Sequence, residues 1–567
     1  MDKQAVRHTL EQLAAFLELK GENPFRVRAF QTAARAVAGY PGDLAQAAAT
    51  GALRRLKGVG PATADVVREL FAAGRSSALD ELREHVPPGL VEMLRIPGLG
   101  VAKVRQIHDR LGIDSLGELE AAAGDGRLAA LPRFGAKTAD NVRRGIAYLR
   151  QSSGLRLFHH ARDEIEGVRR ALAALDGVLR VEVAGTVRRH CEVIRELDLV
   201  VVHAGAGARA ALVERLGRAP GVTEIAGRAG AVTLRFASGT VVEVLLTTPA
   251  RFGLDWIRAT GSLDHVVALE ARDRAAGVSL TADWPDEESV YRALGLPWIP
   301  PELREGSGEL EAAADGRLPR LVTQRDLRGF LHCHSNYSDG TVTVAEWAEA
   351  CAAAGYEWVG ITDHSKSAAY AGGLRAEDVA RQHAEIDAVN RDRTGIRVLK
   401  GVEADILADG TLDYGPQVLD RFDFVIGSIH ARFGMSEAEM TARVLAAMDD
   451  PHLTILGHPT GRLLLQREPY AIDLEQVLAK AAARRIAVEV NADPHRLDLD
   501  WRMARRAREL GVTISIGADA HSTAGITNVA VGLGIARKGW LEAAEVLNTR
   551  DAEGFLAFGR TRRTRAA

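Results

Sequence analysis

The stretch GFLHCHSNYSDG, residues 329–340, ends a short apolar run with two histidines two residues apart, and an aspartate follows the second by five residues. Side chains alternate across a strand, so His332 and His334 are expected on one side and Cys333 on the other. Two imidazoles at one strand end can converge on one ion. Past residue 326 the chain repeats this layout. DLRGFLHCH, YEWVGITDH, IRVLKGVEADI, FDFVIGSIH, LTILGHP, IAVEVNAD and VTISIGADAH are strand-like, and helical stretches such as EDVARQHAEIDAVNR separate them. Seven such repeats predict a parallel β/α barrel.

Position decides the functional reading, because His, Asp or Glu residues close six of the seven strands, at the face where barrel enzymes hold their chemistry. His332, His334, Asp339, His364, Glu403, His430, His458, Asp519 and His521 make nine candidate ligands of nitrogen and oxygen type. Nine are too many for one ion. Two or three divalent ions sharing a carboxylate bridge fit the count, and such clusters activate water for phosphoester hydrolysis. The donor mix admits zinc, manganese or iron. His383, His452 and His495 read instead as hydrogen-bonded structural histidines.

The whole chain has 567 residues, which predicts three or four domains. A hydrophobic content of 47% with 26% charged residues is globular, and a net charge of −3 gives no bulk attraction to nucleic acid. Polyanion contacts must be local. Only Cys191, Cys333 and Cys351 occur, so a reducing cytoplasm is expected and a disulfide framework is not. The N-terminal segment alternates charged and apolar residues, unlike a signal peptide, and no run is long enough to span a membrane. A soluble monomer is expected.

The first 150 residues are rich in Ala, Leu and Arg with helical periodicity. LKGVGPATADVV (56–67), IPGLGVAKVRQI (96–107) and LPRFGAKTADNV (131–142) form an internal repeat, each with a Gly-bearing turn before an amphipathic helix. Backbone amides at such turns bind phosphate without reading bases. Gly58, Gly60, Gly98, Gly100 and Gly135 are the turn candidates, and Lys103, Lys137, Arg105, Arg143 and Arg144 would add salt-sensitive affinity. From about 155, VLRVEVAGT, LDLVVVHA, AVTLRFA and TVVEVLLTT predict an antiparallel sheet flanked by helices. Within it, Gly185, Thr186, Arg188 and Arg189 at a helix start suit a triphosphate, while Glu196 and Asp198, with Glu243 on a later strand, suit magnesium.

Through HCHSNYSDG, ITDHS, GVEADI, SIH, GHP and GADAH, the last part of the chain resembles the polymerase and histidinol phosphatase (PHP) family. That resemblance implies a trinuclear site, with His332, His334, Glu403 and Asp519 on one ion. Glu403, His430 and His458 would hold a second, and Asp339, His364 and His521 a third. The order of helical repeats, GTVRR, ELD, VVEVLL, TGS (260–262) and ALGLPWIPPELREGSGELEAA resembles bacterial family X DNA polymerases, which couple such a core to a C-terminal PHP domain.

The implied architecture is multidomain, α+β and α/β. Helix-hairpin-helix domains occupy 1–85 and 86–154, a nucleotidyltransferase palm 155–248 and a thumb 249–318. A linker at 319–328 leads to a distorted (β/α)7 PHP barrel at 329–567. By family role Glu196, Asp198 and Glu243 bind two Mn2+ or Mg2+ ions, and Arg188 and Arg189 hold the phosphates of a deoxynucleoside triphosphate. Glu403 is placed among the catalytic residues.

Several departures from the family stand out. Glutamates replace aspartates at 196 and 243, His190 replaces a glycine, and Arg258, Ala259 and Val266 replace pocket residues. A carboxylate displaced by one methylene is costly, most of all for magnesium, so weak, manganese-favoured synthesis is expected. Residues 1–80 hold only Lys3, Lys20 and Lys57, and Val66 stands at the lyase lysine position, so no efficient deoxyribose phosphate lyase is expected. The implied function is DNA repair, with gap filling on gapped or nicked DNA and 3′-to-5′ exonuclease action on 3′ ends. The alternatives are a nuclease with a non-synthesising scaffold, or a small-molecule phosphatase.

Overall fold

The computed structural model describes residues 3–38, 40, 44–56, 58–228, 230–237, 239–278, 280, 283–392 and 395–566, which leaves Lys57 outside. The chain divides into two compact units, one of residues 1–153 and 465–467, the other of the remainder. No helix among the described residues is long and apolar enough to cross a membrane.

The first unit is helical, and each repeat becomes a turn followed by a helix that a glycine precedes, although Gly135 (φ 111°) differs from the extended Gly60 and Gly100. The helices Pro61–Ala73, Val101–Leu111 and Ala136–Gln151 start after Gly60, Gly100 and Gly135, none of which supplies a side-chain cap. First-turn amides are therefore left to find outside partners. Two residues before each of these caps the backbone is left-handed, at Gly58 (φ 95°), Gly98 (φ 85°) and Arg133 (φ 68°). The third turn thus keeps the conformation without glycine, at a cost of about 1 kcal/mol. Lys103 donates to the Gly98 carbonyl at 2.8 Å, and Lys137, Arg105, Arg143 and Arg144 are exposed. Val66 is buried in the helical core.

The second unit opens with a five-stranded sheet of β1 (Val178–Val183), β2 (Leu197–His203), β3 (Val222–Arg228), β4 (Ala231–Phe236) and β5 (Val241–Thr247), in spatial order β1-β2-β5-β4-β3. The β2–β5 pair is parallel and the other pairs antiparallel, so the sheet is mixed rather than wholly antiparallel. Helices Phe252–Thr260, Leu263–Ala276 and Glu287–Ala293 follow. Then β6 (Gly329–Cys333), β7 (Trp358–Ile361), β8 (Arg397–Asp405), β9 (Phe424–Ser428), β10 (Leu453–Leu456), β11 (Ala487–Asn491) and β12 (Ile514–Ala520) close in sequence order into a parallel barrel. All seven strands anticipated there form. The segment before the barrel is packed, with Val322 fully buried and its amide bonded to the Leu541 carbonyl.

Ion pairs tie these parts together. Lys538, on the barrel helix Val529–Lys538, is buried, bonds the Arg189 carbonyl at 3.1 Å and pairs with Glu305. Arg537 pairs with Glu302 at 2.7 Å. The deepest pair centres on Glu287, which accepts from Arg188 at 2.7 and 2.9 Å and from the fully buried Arg304 at 2.6 and 2.8 Å. Burial alone would raise the Glu287 carboxyl, but the two guanidiniums hold it at about 2. Because the folded value lies below the unfolded one of 4.5, this pairing stabilises the fold above that pH and is lost as pH falls toward about 2. Its worth is about 3 kcal/mol. Glu287→Gln should lower the melting temperature at neutral pH, and the gap to wild type should narrow as acid protonates Glu287; a gap that stays constant down to about pH 2 contradicts this.

Candidate metal centre and paired carboxylates

The barrel strands deliver their ligands partly by breaking regular geometry. The pairing of β6 with both neighbours shifts register between Phe330 and Cys333 and between Gly517 and Ala520. At these bulges His332 (φ 59°) and Asp519 (φ 49°) are left-handed, as is His458 (φ 23°) just past β10. Strict alternation is therefore not what aims His332. A bulge re-aims the side chain inward, and His334 arrives from beyond the strand end.

All nine candidate ligands gather at one rim. His332 Nε2 lies 3.4 Å from Glu403 Oε1 and 3.8 Å from Asp519 Oδ1, and His334 Nε2 lies 3.4 Å from the same Asp519 oxygen. His430 and His458 approach Glu403 Oε1 at 3.3 and 2.9 Å. Asp339 Oδ1 meets His521 at 3.3 Å and His364 at 3.7 Å. Donors about 2.1 Å from a tetrahedral ion stand about 3.4 Å apart, so these spacings suit shared cations. Buried His332 Nε2, both ring nitrogens of His334, His458 Nδ1 and Glu403 Oε2 also lack a hydrogen-bond partner. Orphaned buried donors and acceptors of this kind are what a metal ion satisfies. The residues fit the group.

Charge follows from the crowding. Burial lowers His334 to about 3, with the charges of His521 and His364 adding to the effect. Burial also opposes the charged form of His430, yet Glu403 and Asp405 hold it at about 10. The imidazoles of His430, His364 and His332 hold the Glu403 carboxyl well below its usual range despite burial.

The sixth barrel strand supplies what the sequence reading missed. Glu489 on β11 is fully buried, accepts from His332 Nδ1 at 2.5 Å and from the His458 amide at 2.8 Å, and lies 3.1 Å from Asn491 Nδ2. Asp405 does the same for His430 Nδ1 at 2.6 Å. A side chain at Gly517 would strike Glu489, its Cβ only 1.7 Å from Oε1, so the bulged glycine makes room for this carboxylate. The signal was present: an acid inside a strand of five buried residues requires a partner.

In the sheet, Asp198 and Glu243 are register partners on β2 and β5, and Glu196 sits exposed just before β2. Glu243 accepts from Thr233 at 2.9 Å. Burial, then repulsion from Glu196 and Glu243, raises Asp198 to about 6, with Arg189 opposing. Gly185 (φ 59°) begins the turn Gly185–Arg188 directly over Asp198, where any Cβ would lie 1.9 Å from Oδ2. The Thr186 hydroxyl is buried without a partner. The arginines differ from expectation: Arg188 is drawn to Glu287 and lies 3.3 Å over Trp256, while Arg189 donates to Glu305 and to the Thr260 carbonyl at 2.8 and 2.6 Å. Arg189 stays within electrostatic reach of Asp198.

Family models described as helix-hairpin-helix domain, SAM-like helix-hairpin-helix tandem, DNA polymerase beta thumb and PHP domain match residues 1–76, 90–147, 255–305 and 331–493. The chain is 35% identical over 574 aligned residues to a Bacillus subtilis (strain 168) protein named DNA polymerase/3′-5′ exonuclease PolX, covering 98% of this chain and 99% of that one. It is 30% identical to a probable phosphatase of Thermoanaerobacter sp. (strain X514), over 27% of this chain and 65% of the relative. A probable phosphatase of Caldanaerobacter subterraneus is 32% identical over 22% and 52% respectively. Glu489→Gln should weaken metal retention about 10- to 100-fold by releasing His332, measured as residual metal against graded chelator; unchanged retention would sink the role given to Glu489.

Proposed function

Because the chain belongs to the family X DNA polymerases that carry a C-terminal PHP domain, we infer that it joins DNA-directed nucleotidyl transfer to a metal-dependent 3′-to-5′ exonuclease. One observation carries the nuclease half: five histidines and a buried glutamate converge at a barrel rim with their ring nitrogens only partly satisfied. When bound, divalent ions there supply a hydroxide nucleophile and neutralise phosphate charge. His332, His334, Glu403 and Asp519 would hold one ion, Glu403, His430 and His458 a second, and Asp339, His364 and His521 a third. Glu489 and Asp405 fix the rings of His332 and His430 with Nε2 inward. Manganese, zinc and iron all suit the donor set.

In the polymerase half, Glu196, Asp198 and Glu243 would hold manganese or magnesium. Asp198, raised to about 6, needs a cation beside it to stay ionised in mild acid. Gly185 and Thr186 present a backbone turn and a free hydroxyl to the triphosphate of a deoxynucleotide. Arg189 can reach that phosphate only by leaving Glu305, and Arg188 only by leaving Glu287, so nucleotide binding competes with internal ion pairs. This adds to the longer glutamates at 196 and 243 in favouring weak, manganese-assisted synthesis. The uncapped turns at Gly58–Gly60, Gly98–Gly100 and Arg133–Gly135, with Lys103 and Lys137, grip the backbone of gapped or nicked DNA without sequence preference. Action as a monomeric cytoplasmic repair enzyme is the setting these features support.

The test compares wild type, Glu403→Ala and Asp198→Ala on a gapped, end-labelled duplex in manganese and in magnesium. Degradation should vanish only with the first change and extension only with the second. Extension as fast in magnesium as in manganese would contradict the account of the altered carboxylates. Borohydride should trap no covalent adduct on abasic DNA, since Val66 is buried in the helical core and carries no amine; a trapped adduct would overturn this.

A further inference from the structure

Few large apolar side chains of the described residues stand in solvent, and Tyr370, at 73% exposure, is one of them. It belongs to no core. Its ring centroid lies 6.2 Å from that of His364 and 6.4 Å from that of His430, which are candidate ligands from two different strand ends, and its planes are tilted against both. An exposed aromatic at the mouth of a metal cluster is a surface held ready for something flat.

The turn that carries Tyr370 is braced rather than loose. Ala368 and Ala371 on either side are buried, and the Ala371 and Gly373 amides both bond the Ala368 carbonyl, at 2.9 and 3.1 Å. The Leu374 amide bonds the His364 carbonyl at 2.8 Å, which ties the turn to the backbone of a candidate ligand. Ser367 is anchored through its amide to Asp413 at 2.7 Å. A rigid platform loses little entropy when something stacks on it.

We propose that Tyr370 is the stacking platform for the base of the 3′-terminal nucleotide, seating that base one sugar away from the phosphate that the histidine rim receives. This rests on the exonuclease reading above and deepens it. The ligand class is any nucleobase, because every base has a flat face and stacking is tolerant of sequence. Tyr370 is thus a positioning residue. It takes no part in bond cleavage, and its hydroxyl is dispensable.

The experiment is a coupling cycle on single-stranded DNA whose terminal residue either carries a base or is abasic. Wild type should favour the base-bearing end by about 5- to 150-fold in kcat/KM, the range expected for one base–aromatic stack. Tyr370→Ala should lose that preference by slowing only on the base-bearing end, and Tyr370→Phe should retain it. Equal slowing of Tyr370→Ala on both ends overturns the proposal. A second readout does not depend on turnover: wild type bound to DNA with a 3′-terminal 5-iododeoxyuridine and a phosphorothioate terminal linkage is photocrosslinked and mapped by mass spectrometry. The adduct should fall on Tyr370 and vanish when the iodinated base is moved inward, whereas an adduct elsewhere overturns the stack. If wild type degrades no DNA at all, the exonuclease reading fails, and the crosslink alone decides whether Tyr370 seats a terminal base.

Discussion

The barrel depends on one buried carboxylate. Glu403 faces His332, His334, His364, His430 and His458 at 2.8 to 3.8 Å, and each of those rings comes from a different strand end or loop except the first two. An anion buried among five imidazoles is stable only if they share its charge with protons or cations. Whatever positions Glu403 positions the rim. Its place at the end of the long strand β8, between β7 and β9, fixes it relative to neighbours that bring their histidines at the same height.

Most of this rim was readable because a parallel barrel places every strand end on one face, so residue type at a strand end already says where a side chain gathers. The reading failed where geometry was irregular. His332 was expected inside by alternation and instead arrives by a bulge, which a period of two cannot show. Glu489 was passed over as part of a strand pattern, since its partner His332 lies 157 residues away. The ion pairs of the two arginines were hidden for the same reason. Arg188 and Arg189 look like phosphate ligands beside a glycine turn, but Glu287 and Glu305, which hold them, come from 99 and 116 residues further on.

The helical repeats show the opposite case. PRFG lacks the first glycine of its siblings, yet Arg133 accepts the left-handed backbone that Gly58 and Gly98 adopt freely. The surrounding helices over-determine the turn, and a modest local cost is tolerated where the cap must stay open. Composition could not reveal this. The entries are alike but not identical, since Gly135 (φ 111°) opens Ala136–Gln151 from the positive-φ side, whereas Gly60 (φ −87°) and Gly100 (φ −78°) are extended.

Lys538 carries a consequence for how such a chain can be divided. Its ammonium, buried on a barrel helix, neutralises Glu305 and holds the carbonyl of Arg189. A gene cut between the sheet and the barrel would leave Glu305 with Arg189 but without its buried ammonium, and would leave Lys538 over the ring of Trp501, 5.0 Å away, without its carboxylate. Neither half inherits a finished surface, so fission of this gene into separate synthetic and degradative proteins would first require that seam to be rebuilt.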